Sequence, residues 1–163
     1  MNSTPSEDAD EYFGGPVPPA VRELLHRAAL ADPHDRAALL WSAQAIAPRC
    51  LASYYALYKH HAGRREFELA ERAAWRGLRE AAALAGLPDD WRSAAPHWSA
   101  RQGDAEAARF WLFTLKALTF LHLRTQRPDE AQALLGVLLA CEPNSGNGSD
   151  VTVALLRAAR PGG

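Results

Sequence analysis

The sequence predicts an all-α fold, and both its composition and its periodicity indicate this. Among 163 residues there are 33 alanines and 22 leucines, but only six valines and isoleucines together. Alanine and leucine favour helices, and so few β-branched residues would not supply a sheet of ordinary size. No segment alternates convincingly between apolar and polar residues at a period of two. The length is sufficient for one sizeable core.

Prolines and glycines divide the first half of the chain into four predicted helices. They run from Pro18 to Leu30, from the break at Asp32-Pro33 to Ala47, over 49–62, and from about Arg64 to Ala85. The sequence Gly86-Leu87-Pro88 ends the fourth helix, since glycine favours the turn that follows a helix and proline cannot continue it.

The second half begins with an insert at about 83–103, whose turn-rich part carries Trp91 and Trp98. Two long helices follow. Asp104 is expected to cap a fifth helix that runs to about Thr125, and a sixth is expected from Pro128 to Pro143. A last helix, capped by Ser149 or Asp150, is predicted to end before Pro161.

We expect a flexible acidic leader over 1–15 and a single α-helical repeat domain over 16–163. The leader contains Glu7, Asp8, Asp10 and Glu11, so the rest of a chain with net charge −1 carries a small positive excess. That net charge argues against a nucleic-acid-binding protein. No apolar run is long enough to span a membrane, and no signal peptide is visible. With only two cysteines, the chain is expected to be cytoplasmic.

An internal repeat connects the two halves of the chain. The residues of one copy are Leu115, Leu118, Ala131, Leu135, Leu138 and Pro143, and 61 positions earlier stand Tyr54, Leu57, Ala70, Ala74 and Gly77. A further 34 positions back stand Leu40, Ala43 and Pro48. The pattern resembles the tetratricopeptide repeat, although Arg65 and Gln126 replace the glycine that the family has between its helices.

This resemblance implies about three stacked helix pairs and a C-terminal capping helix. Three stretches also resemble small helical-repeat proteins that are encoded near bacterial nitrogen-fixation genes. They are Tyr12-Phe13-Gly14-Gly15-Pro16, Ala56-Leu57-Tyr58-Lys59 and Ala85-Gly86-Leu87-Pro88-Asp89-Asp90-Trp91. The second resemblance implies an accessory role around nitrogenase assembly or electron supply, with no catalytic residue to carry over.

Tetratricopeptide repeats bind peptides on the face lined by the first helix of each pair. The family's groove positions fall on Tyr55, Lys59, Phe113, Lys116, Phe120 and Arg124. Aromatic surface beside cations suits an acidic or amphipathic segment of another protein. The asparagines of the carboxylate-clamp version are absent. The sequence leaves open that Phe113 and Phe120 belong to the core and that the cations are ordinary solvated residues.

No catalytic, metal or cofactor signature is visible, so the chain is not expected to be an enzyme. His60 and His61 are adjacent, and neighbours on a helix point about 100° apart, which argues against joint ligation of one ion. Solvation at a helix end explains both histidines as well. The other histidines, His122 among them, show no carboxylate partner at ligand spacing in the sequence.

The sequence therefore predicts a non-catalytic protein–protein interaction adaptor, with an accessory role in nitrogen fixation implied by the narrower resemblance. The alternative is a small-molecule-binding or enzymatic helical domain with a site under the Trp91–Trp98 insert. The insert's tryptophans would otherwise fill the gap that the insertion creates. The sequence indicates neither an oligomeric state nor the identity of a partner.

Overall fold

A computed structural model describes residues 13–142, and within this range the chain forms six α-helices, two 3₁₀ turns and no strand. The helices are α1 Pro19–Leu30, α2 Pro33–Ile46, α3 Leu51–Gly63, α4 Phe67–Ala85, α5 Ala105–Arg124 and α6 Pro128–Cys141. The 3₁₀ turns are Trp91–Ser93 and Ala95–His97. The predicted all-α class is confirmed, and each predicted helix in the described range is present. No helix over 13–142 is both long and apolar enough to cross a bilayer.

Two predicted elements fall wholly or mostly outside the described residues. Of the acidic leader 1–15, the structure describes only Phe13, Gly14 and Gly15, which form a turn ahead of α1. The predicted C-terminal capping helix lies entirely beyond residue 142.

The chain divides into two compact units, one up to Glu80 and the other from Ala81, with the boundary inside α4. The single domain expected over 16–163 stays a prediction. Each unit is built from packed helices.

In the first unit, α1 packs against α2, and α2 packs against α3. Asp32 caps α2 by accepting a hydrogen bond from the Asp35 N–H at 3.0 Å. Arg36, in the first turn of α2, donates from Nε to the Ala28 carbonyl and from Nη2 to the Ala31 carbonyl, both at 2.9 Å. These bonds satisfy carbonyls at the end of α1 that would otherwise lack a helical partner. The α1–α2 pair is therefore fixed by Arg36 as well as by apolar packing.

In the second unit, α5 packs along α6, and α6 also contacts both 3₁₀ turns. Asp104 caps α5 as predicted, accepting from the Glu106 N–H at 2.8 Å and the Ala107 N–H at 3.3 Å. Trp91 and Trp98 are each only 7% exposed, and the Trp98 ring lies 5.8 Å from the fully buried ring of Trp111. The tryptophans of the insert thus contribute to the core of this unit.

Cys141, the last residue of α6, is buried, and burial raises the pKa of its thiol to about 11.

The turns after α3 and α5 have the same backbone geometry, 61 residues apart. After α3, the N–H groups of Glu66 and Arg65 bond to the carbonyls of His61 and Ala62, at 2.8 and 3.0 Å. After α5, the equivalent bonds join Arg127 to His122 at 2.8 Å and Gln126 to Leu123 at 3.2 Å. Both are Schellman turns, which place one residue in the left-handed region. That residue is Arg65 in one turn and Gln126 in the other, with φ of 61° and 60°.

We expect Arg65→Gly and Gln126→Gly each to raise the free energy of unfolding by about 1 kcal/mol, because a side chain in the left-handed region costs about 1–2 kcal/mol that glycine does not incur. Urea denaturation of the single variants measures this gain. Arg64→Gly is the control, since φ at Arg64 is −96° and glycine relieves nothing there. An equal gain in the control would show that the effect does not come from backbone strain.

Candidate functional site

The six residues predicted to bind a partner fall on two helices, one in each unit. Tyr55 and Lys59 lie on α3 in the first unit. The other four lie on α5 in the second unit: Phe113, Lys116, Phe120 and Arg124. The structure brings residues together within each set. A single groove lined by all six stays a prediction.

On α5, the four residues follow one another at intervals of three and four, which places them along one helix face, here called the α5 stripe. Phe113 and Phe120 are each 39% exposed, so neither is a core residue. Lys116 Nζ lies 5.8 Å from the Phe113 ring centroid, and Arg124 Cζ lies 5.9 Å from that of Phe120. The stripe therefore consists of two cation–aromatic pairs, each worth about 0.5–1 kcal/mol at an exposed position.

On α3, Tyr55 and Lys59 form a similar pair in which Lys59 Nζ lies 5.1 Å from the Tyr55 ring centroid. Tyr55 is half-buried and Lys59 is exposed. The Tyr55 ring also makes edge-to-face contacts with Phe13 at 5.3 Å and with Tyr58 at 5.6 Å. Such contacts fix the orientation of the Tyr55 ring.

Phe13, Tyr55 and Lys59 border a cavity of about 530 Å³ in the first unit, here called the α3 cavity. Its apolar lining includes Leu25, Leu40 and Ala52, from α1, α2 and α3. Aromatic and basic residues also line it: Phe13, Tyr55, Arg36, Lys59 and His60. A volume of this size is typical of ligand pockets, which combine apolar walls with a few polar groups.

Gly14 fixes the position of Phe13 at this cavity. Its φ is +117°, and a Cβ at Gly14 would lie 2.8 Å from Leu51 Cβ at the start of α3. Real Cβ atoms do not approach each other so closely, so only glycine fits here without a shift of the backbone. The close approach holds the turn containing Phe13 against α3.

The polar groups of the α3 cavity make it favourable for an anion. Arg36 is fixed by its bonds to the end of α1, and Lys59 carries a second positive charge at the rim. His60 Nε2 is buried without a hydrogen-bond partner. Burial lowers the pKa of His60, and the nearby His61 and Arg36 lower it further. An anion bound beside these groups would favour the charged, hydrogen-bond-donating form of His60.

Behind His60, the side chain of His61 is held from both sides. It is only 2% exposed; its Nε2 accepts from Trp41 Nε1 at 3.1 Å, and its Nδ1 lies 3.0 Å from Glu66 Oε1. Because Trp41 can only donate, this network assigns the proton of neutral His61 to Nδ1, which donates to Glu66. That hydrogen bond, and then the nearby Arg64, hold the pKa of Glu66 below its usual range.

His60, His61 and Glu66 also form a candidate cation site, since one ligand atom from each lies within 4.8 Å of the others. The rotation of about 100° between His60 and His61 therefore does not keep their ring nitrogens apart, contrary to the expectation from the sequence. Two observations disfavour a metal ion nonetheless. Both ring nitrogens of His61 are already engaged, and the positive charges of Arg36 and Arg64 act on His60. The local charge favours an anion over a cation.

His122 makes a further polar contact that the sequence does not indicate. His122 is fully buried, with Nδ1 2.7 Å from the Leu118 carbonyl and Nε2 3.3 Å from Glu130 Oε2. Glu130 is eight residues from His122, outside ligand spacing within one helix, and it reaches His122 across the α5–α6 turn. The 61-residue offset that relates His61 to His122 is the sequence signal that would have indicated an equivalent role.

Three residues of the α3 cavity were missed as site residues: Phe13, Arg36 and His60. Phe13 lies in the predicted leader, Arg36 belongs to no recognisable motif, and solvation at a helix end is enough to explain His60 from the sequence. The sequence indicates this cavity through Tyr55 and Lys59, which occupy groove positions of the tetratricopeptide repeat that it resembles.

We expect Glu66→Gln to make stability less dependent on acidic pH. In the folded chain, the pKa of Glu66 is lower than in the unfolded chain. The stability that its ionised carboxylate contributes is therefore fully present above the usual carboxyl pKa, and it is lost as pH falls through the lowered value. Measured by urea denaturation between about pH 6 and pH 3, the free energy of unfolding should therefore fall less steeply with pH in Glu66→Gln than in the wild type. Glu68→Gln, a change at an exposed carboxylate, should keep the wild-type profile. A wild-type profile in Glu66→Gln would contradict the network.

We expect Gly14→Ala to destabilise the chain more than Gly15→Ala. Both glycines have positive φ, at +117° and +108°, and backbone strain of this kind costs about 1–3 kcal/mol. Only at Gly14 would the new Cβ also meet Leu51, whereas the space at Gly15 is open. Denaturant unfolding of the two variants measures the difference. Equal losses would show that the contact with Leu51 does not hold Phe13 in place.

No protein-family model, curated protein or solved structure matches the chain. The resemblances to tetratricopeptide repeats and to proteins encoded near nitrogen-fixation genes therefore stay predictions from the sequence.

Proposed function

We propose that this protein is a non-catalytic interaction adaptor that binds an acidic, partly apolar segment of another protein in the α3 cavity. The observation that carries this proposal is that Tyr55 and Lys59, selected from the sequence, border one cavity together with Arg36 and His60. The cavity thus combines an apolar lining with cationic and hydrogen-bond-donating groups.

The size of the α3 cavity supports a segment rather than a folded domain as the ligand. About 530 Å³ accommodates a few side chains, and the rest of a partner would have to remain outside. Leu25 and Leu40 offer apolar surface, and Tyr55 offers an aromatic ring already oriented by Phe13. A rigid aromatic group contributes contact area at little cost in conformational entropy.

The three basic groups have different parts in this proposal. Lys59 is exposed at the rim, where it would attract an acidic segment and make association sensitive to salt. Arg36 is held in place by two backbone carbonyls and supplies a fixed charge. His60 lines the cavity, and its Nε2 lies buried in the wall without a hydrogen-bond partner.

The α5 stripe offers the same chemistry on the second unit and is a second candidate contact for such a partner. Its support is the partial exposure of Phe113 and Phe120 beside Lys116 and Arg124. Two partly exposed aromatic rings on one helix face would give a partner apolar area to bury.

The proposed setting is a bacterial cytoplasm and an accessory role in nitrogen fixation. Its support is that three sequence stretches resemble small helical-repeat proteins encoded near bacterial nitrogen-fixation genes. Two of these stretches supply residues of the α3 cavity, namely Phe13 and Lys59. The sparse use of cysteine agrees with a reducing compartment.

The alternative of a small-molecule or catalytic site under the Trp91–Trp98 insert is less favoured. Trp91 and Trp98 are both nearly buried, and Trp98 packs against Trp111. These side chains are used in packing rather than held open over a site.

We expect a labelled peptide of about twelve residues that combines acidic and aromatic side chains to bind the full chain, and Lys59→Glu to weaken this binding by about tenfold or more. The same peptide with amides in place of its acids should bind poorly. Fluorescence anisotropy measures both affinities.

Lys116→Glu is the matched control, because it makes the same charge reversal on the α5 stripe. Binding lost only in Lys116→Glu would move the site to the stripe. If no peptide of a panel of this chemistry binds in a Lys59-dependent manner, the proposed function fails.

A further inference from the structure

Phe13, the first residue that the structure describes, lies in the wall of the α3 cavity. Its ring lines the cavity and lies 5.3 Å from the Tyr55 ring. The close approach of Gly14 to Leu51 fixes this point of the backbone. The residues that directly precede Phe13 are therefore covalently tethered to the cavity wall.

Those residues have the chemistry that the cavity would select. Glu7, Asp8, Asp10 and Glu11 are acidic, and Tyr12 adds an aromatic ring next to Phe13. No other stretch of the chain carries four acids within five residues.

The distances permit contact between this run and the basic groups. Lys59 Nζ and the Phe13 ring lie about equally far from the Tyr55 ring, at 5.1 and 5.3 Å. Each residue of a chain spans at most about 3.3–3.6 Å, so Glu11 and Asp10 are attached within about 7–11 Å of Phe13. The length of chain between this run and Phe13 is therefore sufficient to span the distance from the Phe13 ring to Lys59.

We propose that the chain's own acidic run Glu7–Glu11 occupies the α3 cavity in the absence of a partner and competes with the partner's acidic segment. This inference rests on the proposed function, because both ligands use the same cavity. A segment tethered so closely acts at an effective concentration of the order of millimolar, so it competes even if its intrinsic affinity is weak. Only a partner segment that binds more tightly would displace it.

The test uses the full chain and a labelled synthetic peptide with the sequence of residues 5–13, added in trans. In the wild type, the tethered copy should keep the peptide out. In the variant Glu7→Gln/Asp8→Asn/Asp10→Asn/Glu11→Gln, the peptide should bind about tenfold tighter or better. Adding Lys59→Glu to this variant should abolish the gain.

A charge-matched control separates occupancy from net charge. The variant Glu23→Gln/Asp35→Asn/Glu68→Gln/Asp129→Asn also removes four acidic charges, all at exposed positions. It should bind the peptide as weakly as the wild type. A similar gain in this control, or equal affinity in the wild type and the leader variant, would overturn the proposal.

Two further outcomes distinguish this inference from its alternatives. If the residue 5–13 peptide binds to no variant while other acidic, aromatic peptides bind through Lys59, the inference fails and the proposed function stands. Sedimentation of the wild type and the leader variant shows whether a second copy supplies the occupant. A dimer that is lost in the leader variant would overturn occupancy within one chain, whereas monomers in both support it.

Discussion

The arrangement of the α3 cavity depends on how His61 is fixed at the end of α3. Its carbonyl accepts the Glu66 N–H that closes the turn, and its ring lies between the Trp41 indole and the Glu66 carboxylate. Because successive residues of a helix are rotated by about 100°, one buried residue fixed in this way sets the direction of those beside it. His60 and Lys59 consequently line the cavity.

The same network determines which kind of ligand the region suits. Two histidines and a glutamate close together are a common metal-binding set, and composition alone does not separate that role from a hydrogen-bonded structural one. Here the indole of Trp41 occupies the lone pair of His61 Nε2, and the neighbouring guanidinium groups are positive. The choice between cation and anion thus comes from residues outside the cluster.

The helices themselves were predictable, because their signals are local. Asp32 and Asp104 cap the helices that follow them, and prolines begin α2 and α6. The site was predictable only in part. Tyr55 and Lys59 form a pair within one helix turn, which a sequence pattern can indicate.

The remaining features of the site arise from contacts between separate elements. Arg36 comes from another helix, and Phe13 precedes α1 altogether. Glu130 reaches His122 across a turn. No spacing rule within one helix would place these side chains together. The left-handed backbone at Arg65 and Gln126 is instead local, and the repeat pattern indicates its position, since both residues stand where the resembled family has glycine.

The buried thiol of Cys141 has a practical consequence for chemical modification. With a pKa of about 11, about one thiol in ten thousand is the reactive thiolate at neutral pH. Cys141 is therefore a poor target for oxidants and alkylating reagents while the chain is folded. A cysteine introduced at the exposed end of α3 would react far faster than Cys141, so a spectroscopic label could be attached there without first removing Cys141.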